Sequence, residues 1–313
     1  MMTHPTAERI LVIKLSALGD FVQAFSAFAA IRAHHPAARI TLLTTRPFVG
    51  LAQACPWFDE VWTDERPRVW QLGKVFALRR KLRQGRFDRV YDLQTSDRSS
   101  GYLRLIGGPG AVEWSGIARG CSHPHANPQR NSLHTLERQA DQLAMAGVPP
   151  LPGGPDLGWL DRGTVSVALP DKAVLLVPGG APHRPDKRWP ASSYAALAVE
   201  LARRGQTPVV LGTSSEQAEA DAVLAACPQA LSLIGKTGLA DLAVLARRAV
   251  AAVGNDTGPM HLLATCGCPS VVVYSHASDP ALCAQRGPRV AILRRPDLAD
   301  LPVSEVLTAL DAV

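Results

Sequence analysis

The run Gly254-Asn255-Asp256-Thr257-Gly258-Pro259-Met260-His261 has the residue types of an anion cradle placed between an apolar run and a helical pattern. Its glycines let the backbone turn tightly, and Thr257 offers a hydroxyl and an N–H. A helix expected over 261–266 would aim free amides and a positive dipole end at whatever lies above it. A bound diphosphate would suit that arrangement. An isolated Asp-Thr-Gly also has a plainer reading, because Asp and Thr are ordinary N-cap residues and either could cap the helix.

Holding such a cradle takes a strand, a turn and a helix, and the chain repeats that unit along its length. The first half offers strands over 10–15, 40–44, 60–62, 89–93 and 112–114, with helices beginning near Phe21, Phe48, Leu72, Ser99 and Ser132. The second half offers strands over 173–177, 208–211, 232–234, 249–253, 270–274 and 290–293. Short β-branched runs alternating with amphipathic stretches predict a parallel sheet in each half. Between the halves, residues 148–163 hold four prolines and four glycines and read as a linker. The expected fold class is therefore α/β, two doubly wound domains over 1–160 and 161–302. A ligand-binding cleft is expected outside the carboxyl ends of the strands.

At 313 residues and 47% hydrophobic, the chain can build two good cores. No run of about 18 apolar residues could span a bilayer, and Met1 to Glu8 is polar, without a signal peptide's apolar stretch; a cytoplasmic location is expected. The six cysteines are scattered without C-x-x-C pairing and read as free core thiols rather than zinc ligands.

Charge is unevenly divided. Residues 1–160 carry 19 Lys+Arg against 13 Asp+Glu, whereas 161–313 carry 14 of each, so the first half should face something acidic. Nine basic residues crowd between Arg66 and Arg89, interleaved with Leu72, Val75, Phe76, Leu78 and Leu82 at helical spacing. Such a helix is either a solvated surface or a contact for anionic lipid or phosphorylated glycan. No nucleic-acid partner is expected.

Several chemistries fall away. Ser16-Ala17-Leu18-Gly19-Asp20, after the first strand, has one glycine where a dinucleotide fingerprint needs three, and 177–182 does not match it either. Gly235-Lys236-Thr237 lacks the upstream glycine of a P-loop, which removes kinase and ATPase readings. No two aspartates lie two apart, so the D-x-D motif of metal-dependent sugar transferases is absent.

Three motifs in order carry a resemblance: Ile10-Leu-Val-Ile-Lys14-Leu-Ser16-Ala-Leu-Gly19-Asp20, then Asp186-Lys187-Arg188-Trp189-Pro190, then Gly254 to His261. With Tyr91-Asp92-Leu93-Gln94, Arg98, Gly235-Lys236-Thr237 and Ser278-Asp279-Pro280, the chain resembles glycosyltransferase family 9, which contains the ADP-heptose:lipopolysaccharide heptosyltransferases. The resemblance runs from Ile10 to about Pro280. It implies a GT-B fold with an acceptor domain, then a nucleotide-sugar domain, and a last helix near 303–313 packing back on the first domain. It also implies a nucleotide-sugar donor such as ADP-heptose, a lipid-linked anionic glycan acceptor and peripheral contact with anionic membrane. No cofactor and no metal are expected.

Roles follow from that resemblance together with the chemistry of the residues. An inverting transfer needs a base for the attacking hydroxyl, and Asp20, on a turn at a helix start, matches the family's catalytic position; it could equally cap its helix. Lys187 supplies charge for a departing diphosphate, and Asp256, Thr257 and Gly258 supply amides. Glu216 is placed for ribose hydroxyls, Thr237 for adenine, and His261 for the diphosphate or the sugar. Lys14, Ser16, Gln94 and Arg98 are the expected acceptor contacts. Two stretches depart from the family pattern: the proline-rich 178–185 before Lys187, and Tyr274-Ser-His-Ala-Ser-Asp-Pro280 in place of Phe-Gly-Pro-Thr-Asp-Pro. A transferase using another nucleotide sugar, or a non-catalytic binding member, are the competing readings; a binding module would need no base at Asp20.

Overall fold

Each half of the chain builds its own parallel sheet. The computed structural model describes residues 7–162, 168–181 and 183–313. Most of the polar start, Gly163 at the end of the expected linker, and Pro182 in the proline-rich stretch lie outside the described residues. The chain divides into two compact units, Met1–Trp159 and Leu160–Val313.

In the first unit, β1 (Arg9–Ile13), β2 (Arg39–Thr44), β3 (Glu60–Thr63), β4 (Arg89–Asp92), β5 (Glu113–Gly116) and β6 (His123–Pro124) pair in the order β3-β2-β1-β4-β5-β6. Its helices are α1 (Leu18–Val22), α2 (Phe25–His34), α3 (Val49–Ala54), α4 (Leu72–Gln84), α5 (Asp97–Ile106) and α6 (Thr135–Met145). Ile10 to Ile13 are all fully buried, as a central parallel strand covered on both faces requires. Aromatic side chains fill one side of this unit, with Phe21 stacked on Phe48 and Phe25 edge-on to Trp159, each pair 5.5 Å apart.

The second unit repeats the plan with β7 (Ala173–Val177), β8 (Thr207–Val210), β9 (Leu231–Ser232), β10 (Ala251–Asn255), β11 (Ser270–Tyr274) and β12 (Val290–Arg294), ordered β12-β11-β10-β7-β8-β9. Its helices are α7 (Ala191–Arg203), α8 (Gln217–Ala226), α9 (Leu239–Arg248), α10 (Gly258–Thr265), α11 (Pro280–Cys283) and α12 (Val303–Ala312). In both units the chain works outward from the first strand in one direction, then returns to pair its fourth strand on the other side. That reversal lies between β1 and β4, and between β7 and β10. Ligands of doubly wound sheets bind above such points, at the carboxyl ends of the strands.

Four expectations are corrected. The last helix packs within the second unit: Val306 and Leu307 belong to the core formed with Trp189, Leu197 and Val271. Strand β6 was not expected; its two residues extend the register of β5, Ser115 opposite His123. Helix α1 begins at Leu18 rather than near Phe21, which puts Asp20 inside its first turn. Helix α10 begins at Gly258 rather than His261, because Pro259 in its first turn needs no backbone donor.

Candidate active site

Above the β7/β10 reversal, the side chain of Asp256 gathers four donors. Lys187 Nζ lies 2.6 Å from Oδ2 and Ser278 Oγ donates to the same oxygen at 2.8 Å. On Oδ1, Tyr274 Oη donates at 3.0 Å and Gln285 Nε2 at 3.3 Å, and His261 Nε2 stands 3.9 Å away. The Lys187 and Asp256 side chains are 14% and 7% exposed, so this is a largely desolvated ion pair. Burial pushes the Asp256 carboxyl up, but the Lys187 ammonium and the hydroxyls outweigh it and hold it below the usual range. Lys187 is thus a cation fixed by a carboxylate rather than a free tether.

Helix α10 has no side-chain cap, so the capping reading of Asp256-Thr257-Gly258 does not hold. Asp256 is committed to Lys187, and the Thr257 hydroxyl is buried without a hydrogen-bond partner among the described residues. The first-turn amides of Gly258 and Met260 are left without a side-chain capping partner there, just after the carboxylate that holds the Lys187 ammonium. Gly254 is required for this junction: a Cβ would stand 2.7 Å from Met260 Cγ and 2.8 Å from Val177 Cβ. Asn255 ties the two loops together, donating to the carbonyls of Pro178 and Gly179 at 2.7 and 3.0 Å while accepting from Trp189 N at 2.9 Å. The proline-rich stretch before Lys187 is further held by Arg188, which donates to Gly180 O at 2.7 Å and pairs with Glu219.

Glu216 is not the solvated side chain its polar neighbourhood suggested. It is buried, and its Oε2 accepts from Thr213 N at 2.8 Å and Thr213 Oγ1 at 2.9 Å, while Oε1 accepts from Ser215 Oγ at 2.7 Å. Burial opposes its ionisation, but those donors hold its carboxyl below the ordinary glutamate value. Gly179 lets the β7 loop approach it, since a Cβ there would lie 2.9 Å from Glu216 Cγ. Glu216 therefore closes a capping box with Thr213 around the short 3-10 turn Ser214–Glu216 that leads into α8, and it borders the loop after β7. Thr237 is half-buried on the turn between Gly235 and Gly238, the latter donating to Asp241 at 2.8 Å.

Above the β1/β4 reversal, the turn after β1 carries Asp20 in the first turn of α1. Its Oδ2 accepts from Ala17 N at 3.2 Å, so it caps its helix while remaining only partly buried. Gln94 holds this turn from below: its Oε1 accepts from Leu15 N at 2.8 Å and Ser16 N at 3.1 Å. Lys14 is buried and donates to Leu93 O at 3.1 Å; burial lowers its pKa, against the charge of Asp20. Arg98 donates to Pro67 O at 3.1 Å. Of the four expected acceptor contacts, Lys14, Gln94 and Arg98 are thus engaged with the protein, and Ser16 is only partly buried at the turn itself. Lys14 and Gln94 brace the segment that presents Asp20, whereas Arg98 holds the loop before α4.

Asp92, quoted in the resemblance but given no role, is buried beneath that turn. Its Oδ1 accepts from Gln94 N and Thr95 N at 3.1 Å each, fixing Thr95 in the left-handed region at φ 45°. Burial pushes its carboxyl up to about 7, against those hydrogen bonds and the charge of Lys14. An unfolded aspartate titrates near about 4, so between about 4 and 7 the folded state binds the extra proton. This contribution to stability is present at low pH and is lost as pH rises through that window. Denaturant titrations at pH 5 and pH 8 should show the wild type losing on the order of 3 kcal/mol relative to Asp92→Asn across that interval. Parallel pH dependence in the two proteins would contradict this role.

Tyr274, Ser278 and Asn255 stood in quoted motifs without a role, and Gln285 was missed altogether. Two of them stood inside the stretch that departs from the family pattern: a Tyr where Phe is usual adds the hydroxyl that reaches Asp256. Gln285 had no signal.

Comparison with known proteins adds to this geometry. The model of glycosyltransferase family 9 (heptosyltransferase) matches residues 75–305. Lipopolysaccharide heptosyltransferase 2 of Escherichia coli (strain K12) is 26% identical over 299 residues, covering 86% of this chain and 83% of that protein. The solved structure of E. coli ADP-heptose lps heptosyltransferase II has a TM-score of 0.78 at 23% identity, covering 97% of this chain and 98% of that one. E. coli heptosyltransferase WaaC with ADP has a TM-score of 0.77 at 22% identity, covering 97% and 99%. These likenesses span both units, and the fold is GT-B, two Rossmann-like parallel-sheet units. No helix among the described residues is long and apolar enough to cross a membrane.

Proposed function

The chain belongs to glycosyltransferase family 9, and from that premise we propose that it is an inverting, metal-independent heptosyltransferase. It moves a heptose from ADP-heptose to the anionic inner core of lipopolysaccharide, at the cytoplasmic face of the membrane. The observation that carries this reading is the uncapped start of α10 beside the Lys187–Asp256 pair, a fixed cation and open amides at a strand-order reversal. Relatives support the donor and acceptor: one solved relative holds ADP, and another is named for lipopolysaccharide.

In this reading Asp20 accepts the proton of the acceptor hydroxyl as its oxygen bonds to the anomeric carbon. The bond from that carbon to the diphosphate oxygen breaks on the opposite face, and its electron pair leaves with ADP. Lys187 Nζ and the amides of Thr257, Gly258 and Met260 stabilise the charge that develops there. Asp256 orients Lys187, and His261, buried beside it, lines the sugar side of the same cradle. Glu216 and Thr237 border the nucleoside, Glu216 through the loop it holds. Ser16 contacts the acceptor, Lys14 and Gln94 position the acceptor turn, and Arg98 holds the loop before α4 at Pro67. The basic stretch of α4 draws the protein to an anionic membrane surface.

ADP is the discriminating probe. At about 100 times its dissociation constant it should stabilise the protein by about 2.7 kcal/mol in a thermal melt, and UDP should not. Transfer from ADP-heptose should continue at an unchanged rate in EDTA. Stabilisation by UDP alone would overturn the donor, and loss of turnover in chelator would overturn the metal-independent reading. One observation favours a second reading in which the sugar differs: the 274–280 loop carries Tyr274 and Ser278 onto Asp256, so its hydroxyls face a site the family pattern builds otherwise. A panel of ADP-sugars separates the two.

A further inference from the structure

We propose that the turn before α4 and its first helical turn form an apolar wedge that inserts into the interface of an anionic phospholipid bilayer. This deepens the electrostatic membrane contact proposed above and rests on that contact's orientation of α4. Val69, Trp70, Leu72 and Phe76 are 80%, 69%, 62% and 60% exposed, four large apolar side chains within eight residues. The other large exposed hydrophobics among the described residues, Met145, Leu231 and Val250, are separate and each no more than 43% exposed. Single exposed apolar side chains are ordinary; a cluster of this kind marks an interaction surface.

Helix geometry explains why these side chains face outward. The helix anchors itself through Leu78 and Leu82, which are buried in the first unit's core. At about 100° per residue, Phe76 points about 160° away from Leu78, and Leu72 shares the side of Phe76. Continuing along that outward stripe come Arg80 and Arg83, and a groove beside them is lined by Phe76, Ala77, Arg79, Arg80, Arg83 and Arg86. The rise of about 1.5 Å per residue sets Arg80 and Arg83 about 6 and 10 Å beyond Phe76, a spacing that fits apolar groups in the acyl boundary and cations among phosphates. Trp70 adds an interfacial aromatic, with the Arg68 guanidinium 5.2 Å from its ring centroid.

Charge selects the occupant. Helix α4 contains no acidic residue, and the nearby Glu65 is paired with Lys74 at 3.1 Å. Two copies of this face pressed together would oppose like charges, whereas an anionic leaflet complements them. Lys81 is excluded from the contact because its ammonium sits over the Trp62 ring at 5.0 Å.

Flotation with equimolar phosphatidylglycerol–phosphatidylethanolamine vesicles tests the wedge. Wild type should bind at low salt and keep a bound fraction at about 1 M salt, where charges are screened within about 3 Å. Trp70→Ser/Phe76→Ser should lower the partition coefficient by roughly a hundredfold, about tenfold per side chain, and make the remainder fully salt-sensitive with an unchanged melting temperature. Arg79→Gln/Arg80→Gln/Arg83→Gln should lose the salt-sensitive part and keep the salt-resistant one. If wild-type binding vanishes at high salt and the double variant binds as wild type does, the wedge falls and the electrostatic contact stands. Absence of any vesicle binding removes both, and a dimer that the double variant dissociates would assign the face to a second copy instead.

Discussion

Asp20→Asn should lower turnover by about a hundredfold or more while leaving ADP binding unchanged. The asparagine can keep the hydrogen bond that Asp20 Oδ2 accepts from Ala17 N, so the start of α1 should survive and only the capacity to take a proton is removed. The proposed donor cradle belongs to a different unit and contains no atom of Asp20. Loss of the Asp20 charge also removes a cation-favouring neighbour of buried Lys14, so charge and basicity must be separated. Asp20→Glu retains both charge and basicity at a displaced position and should recover part of the rate. Single-turnover rates with ADP affinity measured on the same preparations check this. Turnover in Asp20→Asn equal to wild type would remove the base from the scheme.

The two sheets were legible because parallel strands covered on both faces read as continuous apolar runs, as in Ile10 to Ile13 and in β11. Strand β6 was not, since a His-Pro pair has no strand character of its own and is fixed by its neighbour. Helix starts slipped by a few residues where a local device sets them: the Asp20 carboxylate for α1, Pro259 for α10. Helix α12 was placed by family likeness alone, which put it on the wrong unit, whereas Val306 and Leu307 pack in the second unit's core.

In the site, residue types carried more than positions did. Lys187 and Asp256 stood out as chemistry, yet their partnership joins residues 69 apart, and Gln285 reaches Asp256 across 29. No local pattern records such convergence. Gln94 and Arg98 were given to the acceptor by family likeness, and in the structure Gln94 Oε1 and Arg98 Nη1 also bond the protein's own backbone. On α4, five apolar residues at helical spacing suggested one buried face; Leu78 and Leu82 supply it, and Leu72 and Phe76 stand on the opposite side.

Lys187→Ala should weaken ADP binding and turnover together, because in the proposed scheme its ammonium meets negative charge already present on the diphosphate and more of it as the bond breaks. It should also destabilise the fold by about 3 kcal/mol, since removing one partner of a desolvated pair leaves the other buried without its counter-ion. The direction with pH separates these effects. In the wild type, Lys187 and the surrounding hydroxyls hold the Asp256 carboxyl low, so its stabilisation is present above the unfolded value near about 4 and is lost as pH falls through the folded one. Without Lys187 the strongest remaining influence is burial, which raises the carboxyl, so the variant's deficit should shrink toward acidic pH as the group protonates. Lys187→Ala/Asp256→Asn should recover most of the stability and none of the activity, because the buried charge is gone and the cation is still missing. Denaturant titrations at pH 5 and pH 8, with ADP affinity on each variant, read all three effects. A stable Lys187→Ala protein that binds ADP as wild type does would show that the ion pair is structural ornament and that the diphosphate is held elsewhere.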